Sequence, residues 1–344
     1  MPALTDRWTF AGLELPNRVA LAPLAGIGNW FVRLQARRYG AGLVVSEMVS
    51  SCAVHYRNER TWRELLVIDE RERVGGPVAI QLFGSDPEVT RSAAAHVAAL
   101  GADLIDLNMG CPVPKVCKTG AGAALLDDGD RAVALARAAH EGSGLPVTVK
   151  LRSGRRAGEQ AGVRLAHRLV DEAGVCAIGF HPRPAVVGHR GVPDYALAAE
   201  LVRTLDAPVI LSGALYSAQA AREAFELTGA AGVMLARGAL GNPWIFEELL
   251  GRRSTAPTNS EVLAELDWVI DRASEHLGAP RAARYMRRFY PWYLERLELD
   301  RLPRRRLQAD LQQADSFSVA RDLLAQAVDQ PGPPERRVAL PALA

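Results

Sequence analysis

Asn108-Met109-Gly110-Cys111-Pro112 follows the apolar run Leu104-Ile105-Asp106-Leu107, so a thiol is held where a buried strand gives way to a loop. Gly110 permits close backbone approach or positive φ, Pro112 stiffens the exit, and Asn108 offers a donor and an acceptor beside the sulfur. Only Lys115, Lys118 and Lys150 are lysine among 41 basic residues. Arginine serves everywhere else, so compact ammonium groups survive near Cys111, where the two residue types are least interchangeable. For Lys115 and Lys118, codon usage is the alternative account. Lys150 ends the strand Pro146-Val147-Thr148-Val149-Lys150, where an unpaired ammonium would be costly and needs an anionic or polar partner. It could form a Schiff base, as in an aldolase, or donate to a cofactor that gains negative charge on reduction.

These groups need a scaffold, and a weak repeat supplies it. A helical segment ends at a glycine and an apolar strand follows at Gly40-Ala41-Gly42 before Leu43, Gly101 before Leu104, Gly174 before Val175, and Gly229 before Val233. Further strands are expected at Val19–Ala22, Val78–Leu82, Val147–Leu151 and Val209–Leu211, which makes eight. Asp86-Pro87 opens a helix to Leu100, and another spans Ser217 to Leu227. Eight alternating units predict an α/β fold, a (β/α)8 TIM barrel. An open doubly wound sheet is the alternative, but no G-x-G-x-x-G follows the first strand. In a barrel, chemistry collects at the C-terminal strand ends, here Pro23-Leu24-Ala25, Ser46-Glu47, Gln81, Asn108 with Cys111, Lys150 with Arg152, His181 with Arg183, Ser212-Gly213-Ala214, and Ala236-Arg237-Gly238. The last two turns fit a phosphate site of backbone N–H groups with one guanidinium. A histidine such as His181 is otherwise a satisfied core group.

Composition places few limits. The net charge is +2 and 23% of residues are charged, so basic character must be local. Cys52, Cys111, Cys117 and Cys176 match no zinc spacing and read as free thiols, with Cys52, Cys117 and Cys176 expected in packing roles. No apolar leader or membrane-length run is evident, so a cytoplasmic protein is expected. The expected domains are the barrel (1–250), a linker (251–258), an all-helical C-terminal domain (259–330) and a flexible Pro-rich tail (331–344). Between Arg281 and Arg306, nine arginines stand against three acids, interleaved with Tyr285, Phe289, Tyr290, Trp292 and Tyr293. Arg284, Arg287 and Arg288 are spaced to share one helical surface. An ordinary amphipathic helix would show the same pattern.

Together the motifs Ala22-Pro23-Leu24-Ala25-Gly26, Ser46-Glu47-Met48, Gln81-Leu82-Phe83-Gly84, Asp106 to Pro112, Lys150-Leu151-Arg152-Ser153-Gly154, His181-Pro182-Arg183 and Gly241 to Phe246 resemble the tRNA-dihydrouridine synthases, in particular the bacterial B subfamily. The resemblance implies an FMN-dependent oxidoreductase that reduces the C5–C6 bond of a uridine in tRNA, with NADPH as reductant and no obligate protein partner. It assigns Pro23, Leu24, Ala25, Gln81, Lys150 and His181 to the flavin ring. Ser212, Gly213, Ala214, Ala236 and Arg237 fall to its phosphate, and Asn108 and Arg183 to the substrate. Cys111 becomes the acid that protonates C5, a role suited to a thiol of pKa near ~8.5. The basic cluster, Arg284, Arg287 and Arg288, and Lys115 and Lys118 beside Cys111 become phosphate contacts. Ser212 and Ala214 stand where the family commonly has Asn and Asp, and Ala236 where Gly is usual; backbone phosphate contacts should survive these changes. Two alternatives stay open: an FMN-dependent oxidoreductase of free pyrimidines, and a tRNA-binding protein with incidental flavin chemistry.

Overall fold

The structure, a computed structural model, describes residues 2–329; the expected tail at 331–344 lies outside them. Strands β1 (Trp8–Phe10) and β2 (Leu13–Leu15) form an antiparallel hairpin. Nine parallel strands follow: β3 (Val19–Leu21), β4 (Leu43–Val45), β5 (Val49–Ser50), β6 (Val78–Phe83), β7 (Leu104–Met109), β8 (Val147–Arg152), β9 (Ala177–His181), β10 (Val209–Leu211) and β11 (Gly232–Leu235). Pairing runs β3–β4–β6–β7–β8–β9–β10–β11 and returns to β3, which closes an eight-stranded parallel barrel. The short β5 extends the edge of β6 beyond the reach of β4. This is the (β/α)8 fold expected from the repeat.

Helices α1 (Trp30–Arg38), α2 (Ser51–His55), α3 (Pro87–Ala99), α4 (Pro114–Cys117), α5 (Gly129–Ser143), α6 (Ala161–Ala173), α7 (Tyr195–Thr204), α8 (Ala218–Thr228) and α9 (Trp244–Leu249) fill the connections. Their ends follow local chemistry. The Asp86 side chain accepts from the Val89 N–H and Pro87 occupies the first turn of α3, while Ser217 caps α8. Gly174 and Gly229 end α6 and α8 at φ 64° and 65°, the left-handed conformation that glycine adopts without a Cβ penalty.

The lumen is filled by Ala20, Leu43, Ala79, Leu104, Ala177, Ile210 and Met234, mostly near the strand starts, against which Phe10 and Leu15 of the hairpin pack. The hairpin leaves no signature in the sequence, because three-residue strands offer almost no alternation to read. Strands β7, β8 and β9 also run further than their apolar cores indicated. Backbone pairing carries them on as far as Arg152 opposite His181, so Asn108 and His181 lie within strands, as Lys150 does in the strand expected for it.

The chain divides into two units between Thr255 and Ala256. The second contains α10 (Asn259–Leu277), α11 (Ala279–Met286), α12 (Tyr290–Leu294), α13 (Arg301–Gln313) and α14 (Phe317–Asp329). Thr258 and Glu261 form a reciprocal capping box that starts α10. Phe289, Tyr290 and Tyr293 are buried in this unit. Among the described residues, no helix is long and apolar enough to cross a membrane.

Candidate active site

Side chains alternate between the faces of a strand, so the face that buries the lumen core also builds whatever lies above it. Ala20 is followed on that face by Ala22, Ala79 by Gln81, Leu104 by Asp106 and Asn108, Ala177 by Gly179 and His181, and Ile210 by Ser212. Thr148, Lys150 and Arg152 follow the same rule on β8. The register sets these in layers, with Gln81, Asp106 and Thr148 side by side and Asn108, Lys150 and Gly179 in the row above. At the C-terminal end the layers open into a cavity of about 460 Å³.

Most barrel residues singled out from the sequence line that cavity: Pro23, Leu24 and Ala25 after β3, Gln81, Asn108, Cys111, Lys150, Arg152, His181, Arg183, Ser212, Gly213, Ala214, Ala236, Arg237 and Gly238. Ser46 and Glu47 are buried outside it, where Ser46 Oγ accepts from the Gln81 N–H (2.9 Å) and Glu47 Oε2 from the Gly26 N–H (2.8 Å). Lys115 and Lys118 are exposed at α4, just beyond Cys111, and do not line it. In the helical unit, one expectation is corrected. Arg284, Arg287 and Arg288 do not share a helical face, because α11 stops at Met286. Arg284 and Arg288 are exposed, whereas the Arg287 guanidinium donates to the Ala314 carbonyl (3.4 Å) and its own carbonyl accepts from Gln312 Nε2 (2.7 Å). Cys52, expected to pack, is exposed on the short α2. Cys117 and Cys176 are half-buried, and their thiols donate to the Cys111 and Val147 carbonyls.

The floor is a hydrogen-bonded row. Asp106 accepts from Gln81 Nε2 and Thr148 Oγ1, both at 2.6 Å. Gln81 Oε1 accepts from Asn108 Nδ2 at 2.8 Å, and Asn108 Oδ1 accepts from the Cys111 N–H at 2.9 Å. On the far side, Lys150 Nζ donates to Ser212 Oγ (3.1 Å), which donates to the Phe180 carbonyl (3.2 Å). Arg152 holds the Pro184 and Gly188 carbonyls, and Arg183 holds that of Gly191. Among the described residues, the buried Arg183 Nε has no hydrogen-bond partner.

Two glycines fix the loops after β10 and β11. Gly213 has φ 111°, and a Cβ there would sit 2.4 Å from His181 Cδ2. A Cβ on Gly238 would sit 2.3 Å from the Leu215 carbonyl oxygen, so the two loops meet backbone to backbone. Ala214 holds φ 58°, a conformation that glycine, Asn or Asp adopts more readily than alanine.

Electrostatically the cavity is one-sided. Lys150, Arg152, Arg183 and Arg237 line it, and among the described residues no carboxylate does. Burial, reinforced by neighbouring Arg152, pulls Lys150 down to about 8. Burial likewise lowers Arg152 to about 10, His189 to about 4, and His181 well below its ordinary range. The same desolvation pushes the Cys111 thiol up against the opposing Val113 amide, and raises Asp106 to about 6 despite its two donors. Cys111 is therefore a protonated thiol at neutral pH, and both histidines are neutral.

Four contributors escaped the sequence. Asp106 and Thr148 obey the period-two rule that places Asn108 and Lys150, so alternation could have found them. His189, which stacks on His181 (centroids 6.1 Å apart), sits in an irregular loop that carries no periodicity. Tyr216, which bonds Arg237 and lies 5.1 Å beneath its guanidinium, is likewise a loop residue.

Comparison with known proteins gives the chain its relatives. The family model described as dihydrouridine synthase matches residues 20–329. The tRNA-dihydrouridine synthase B of Pseudomonas aeruginosa is 35% identical over 288 residues, covering 82% of this chain and 85% of the relative. A probable tRNA-dihydrouridine synthase 1 of Synechocystis is 35% identical over 322 residues, covering 92% and 88%. Among solved structures, morphinone reductase in complex with tetrahydroNAD aligns with a TM-score of 0.54 at 17% identity, over 76% of this chain and 94% of that one. A 2-naphthoyl-CoA reductase complex aligns with a TM-score of 0.56 at 11% identity, over 73% and 52%. These two likenesses concern the fold alone.

Proposed function

The chain belongs to the dihydrouridine synthase family, and from that premise we propose that it reduces the C5–C6 double bond of a uridine in tRNA, in the cytoplasm, with FMN in the barrel-top cavity and NADPH as reductant. The observation that carries this reading is the coincidence, in one cavity, of a protonated thiol with four basic side chains and, among the described residues, no carboxylate.

FMN suits that donor set. Its phosphate matches the loops Ser212–Ala214 and Ala236–Gly238, which the two glycines let pack closely and whose main-chain N–H groups would hold it, with Arg237 adding a charge. Pro23, Leu24 and Ala25 offer an apolar wall for the ring. Lys150, and the Gln81 Nε2 hydrogen not used by Asp106, are donors for its polar edge, with the neutral His181 ring beside them. The chemistry that FMN supplies when bound is a hydride for C6 of the uracil, drawn in turn from NADPH.

Cys111 supplies the other half. Its Sγ carries a proton at neutral pH and gives it to C5, so each carbon of the double bond gains one hydrogen; solvent then restores the thiol proton. Asn108 fixes the Cys111 backbone, and Arg183, which lines the same cavity, would contact the base. A base must leave its stack to enter a cavity at the end of a barrel. Lys115 and Lys118, and Arg284 and Arg288 in the helical unit, are exposed cations suited to the phosphates of such a strand.

The visible spectrum of the purified protein tests this. A flavin band that bleaches with NADPH under anaerobic conditions, and returns with unmodified tRNA but not with free uridine or orotate, is the expected result. Recovery with a free pyrimidine would point to the free-pyrimidine oxidoreductase, and a protein that takes up no FMN would overturn the proposal.

A further inference from the structure

An ionised carboxylate can only accept hydrogen bonds, whereas an amide side chain has a donor end and an acceptor end. Asp106 lies buried in the layer of Gln81 and Thr148, does not line the cavity, and takes its two bonds from those neighbours. With its nitrogen committed to Asp106, Gln81 turns Oε1 up to accept from Asn108 Nδ2 in the row above. Asn108 then has only its oxygen left for the loop, and that oxygen accepts from the Cys111 N–H (2.9 Å) and the Gly110 N–H (3.3 Å). Each link is dictated by the one beneath it. Had either amide been reversed, an N–H group would face the Cys111 N–H and the turn that presents the thiol would lose its anchor. A buried carboxylate is an expensive filler for a barrel layer, and the layer below it is packed with Ala79 and Leu104.

We propose that Asp106 is a positioning residue for the Cys111 thiol: as an acceptor-only base, it sets the direction of the Gln81–Asn108 amide chain, so that Asn108 meets the Cys111 backbone with oxygen. The proposal deepens the reading of Cys111 as proton donor and rests on it. Asp106 does not line the cavity; its effect passes through two side chains to a backbone amide.

The test uses full-length protein and two readouts that need no turnover: hydrogen exchange of the Cys111 amide and the iodoacetamide alkylation rate of Cys111, each resolved by peptide mass spectrometry. Asp106→Leu removes the acceptor, and exchange at Cys111 should rise on the order of five- to tenfold, the size of one net hydrogen bond, with an altered alkylation rate. Asp106→Asn can keep an oxygen toward Gln81 while the Thr148 hydroxyl turns to accept, so exchange should stay within about twofold of wild type. The decisive variant is Asp106→Leu with Gln81→Glu. It moves the carboxylate one link up, where it again accepts from Asn108 Nδ2, and it should restore slow exchange.

Wild-type exchange and alkylation in Asp106→Leu, or failure of the folded double variant to restore them, would overturn the proposal. Should Asp106→Leu fail to accumulate, Gln81→Met cuts the same chain one link higher, and unchanged exchange at Cys111 there has the same force. Loss of the proton-donor role is recognised separately, by a Cys111→Ala variant that still reduces uridine.

Discussion

Replacing Lys150 with Met should make the flavin-free protein more stable while destroying its affinity for flavin. Lys150 falls from its ordinary 10.5 to about 8, chiefly because burial disfavours the ammonium. That fall corresponds to about 3 kcal/mol, an upper bound that the partly open side chain reduces to about 1–2 kcal/mol. The sign follows from proton counting. Between about 8 and 10.5 the unfolded chain binds the proton and the folded chain does not, so stability rises with pH across that window and the penalty is present in full at pH 7. Methionine fills a similar volume without the charge. Ser212, which loses the ammonium as a partner, keeps its bond to the Phe180 carbonyl. Urea unfolding of flavin-free wild type and Lys150→Met at pH 7 should therefore show the variant more stable by about 1–2 kcal/mol, and the difference should shrink by pH 10. Fluorescence titration with FMN should show affinity lost in the same variant. A variant less stable than wild type that still binds flavin normally would refute the view that this ammonium is held ready for an electron-rich ligand.

Three further outcomes are expected. Cys111→Ala should bind flavin and be reduced by NADPH normally while uridine reduction falls by about 10²–10⁴, the usual range for a lost general acid; wild-type uridine reduction should decline as pH climbs into the raised range of the thiol, which single-turnover rates with reduced enzyme would reveal. Gly213→Ala places a Cβ 2.4 Å from His181 Cδ2 at φ 111°, which should cost about 2–4 kcal/mol and weaken flavin binding; a variant with native stability and affinity would contradict the close packing of that loop on the His181 ring. Arg284→Gln and Arg288→Gln should each flatten the salt dependence of tRNA binding by a slope of about 1 without changing flavin reduction, whereas Arg287→Gln should act mainly on the stability of the helical unit, as filter-binding titrations and thermal melts would separate.

Much of the site was legible because barrel chemistry obeys a simple rule. Once a repeat of helix, glycine and strand is recognised, function belongs at the strand ends, and Gln81, Asn108, Lys150, His181 and Ser212 follow from position alone. Helical spacing, a different rule, reached too far in the helical unit. Spacings of three and four align Arg284, Arg287 and Arg288 only if the helix continues, and α11 ends at Met286. Cys52 shows the converse, since a five-residue helix is too short for a sequence pattern to say which side faces solvent.

The sequence by itself determined the fold class, the order of the eight strands and the thiol at the end of the fourth, because alternation, glycine stops and helix caps act over a few residues. Only the tertiary structure decided what the thiol and its neighbours experience. Asp106 and Thr148 are 42 positions apart in the chain yet share a hydrogen bond, and Lys150 and Ser212 are 62 apart. Desolvation depends on every strand closing around a group at once, so the upward shift of the thiol, the weakened ammonium and the depressed His181 and His189 are properties of the closed barrel and of no local segment.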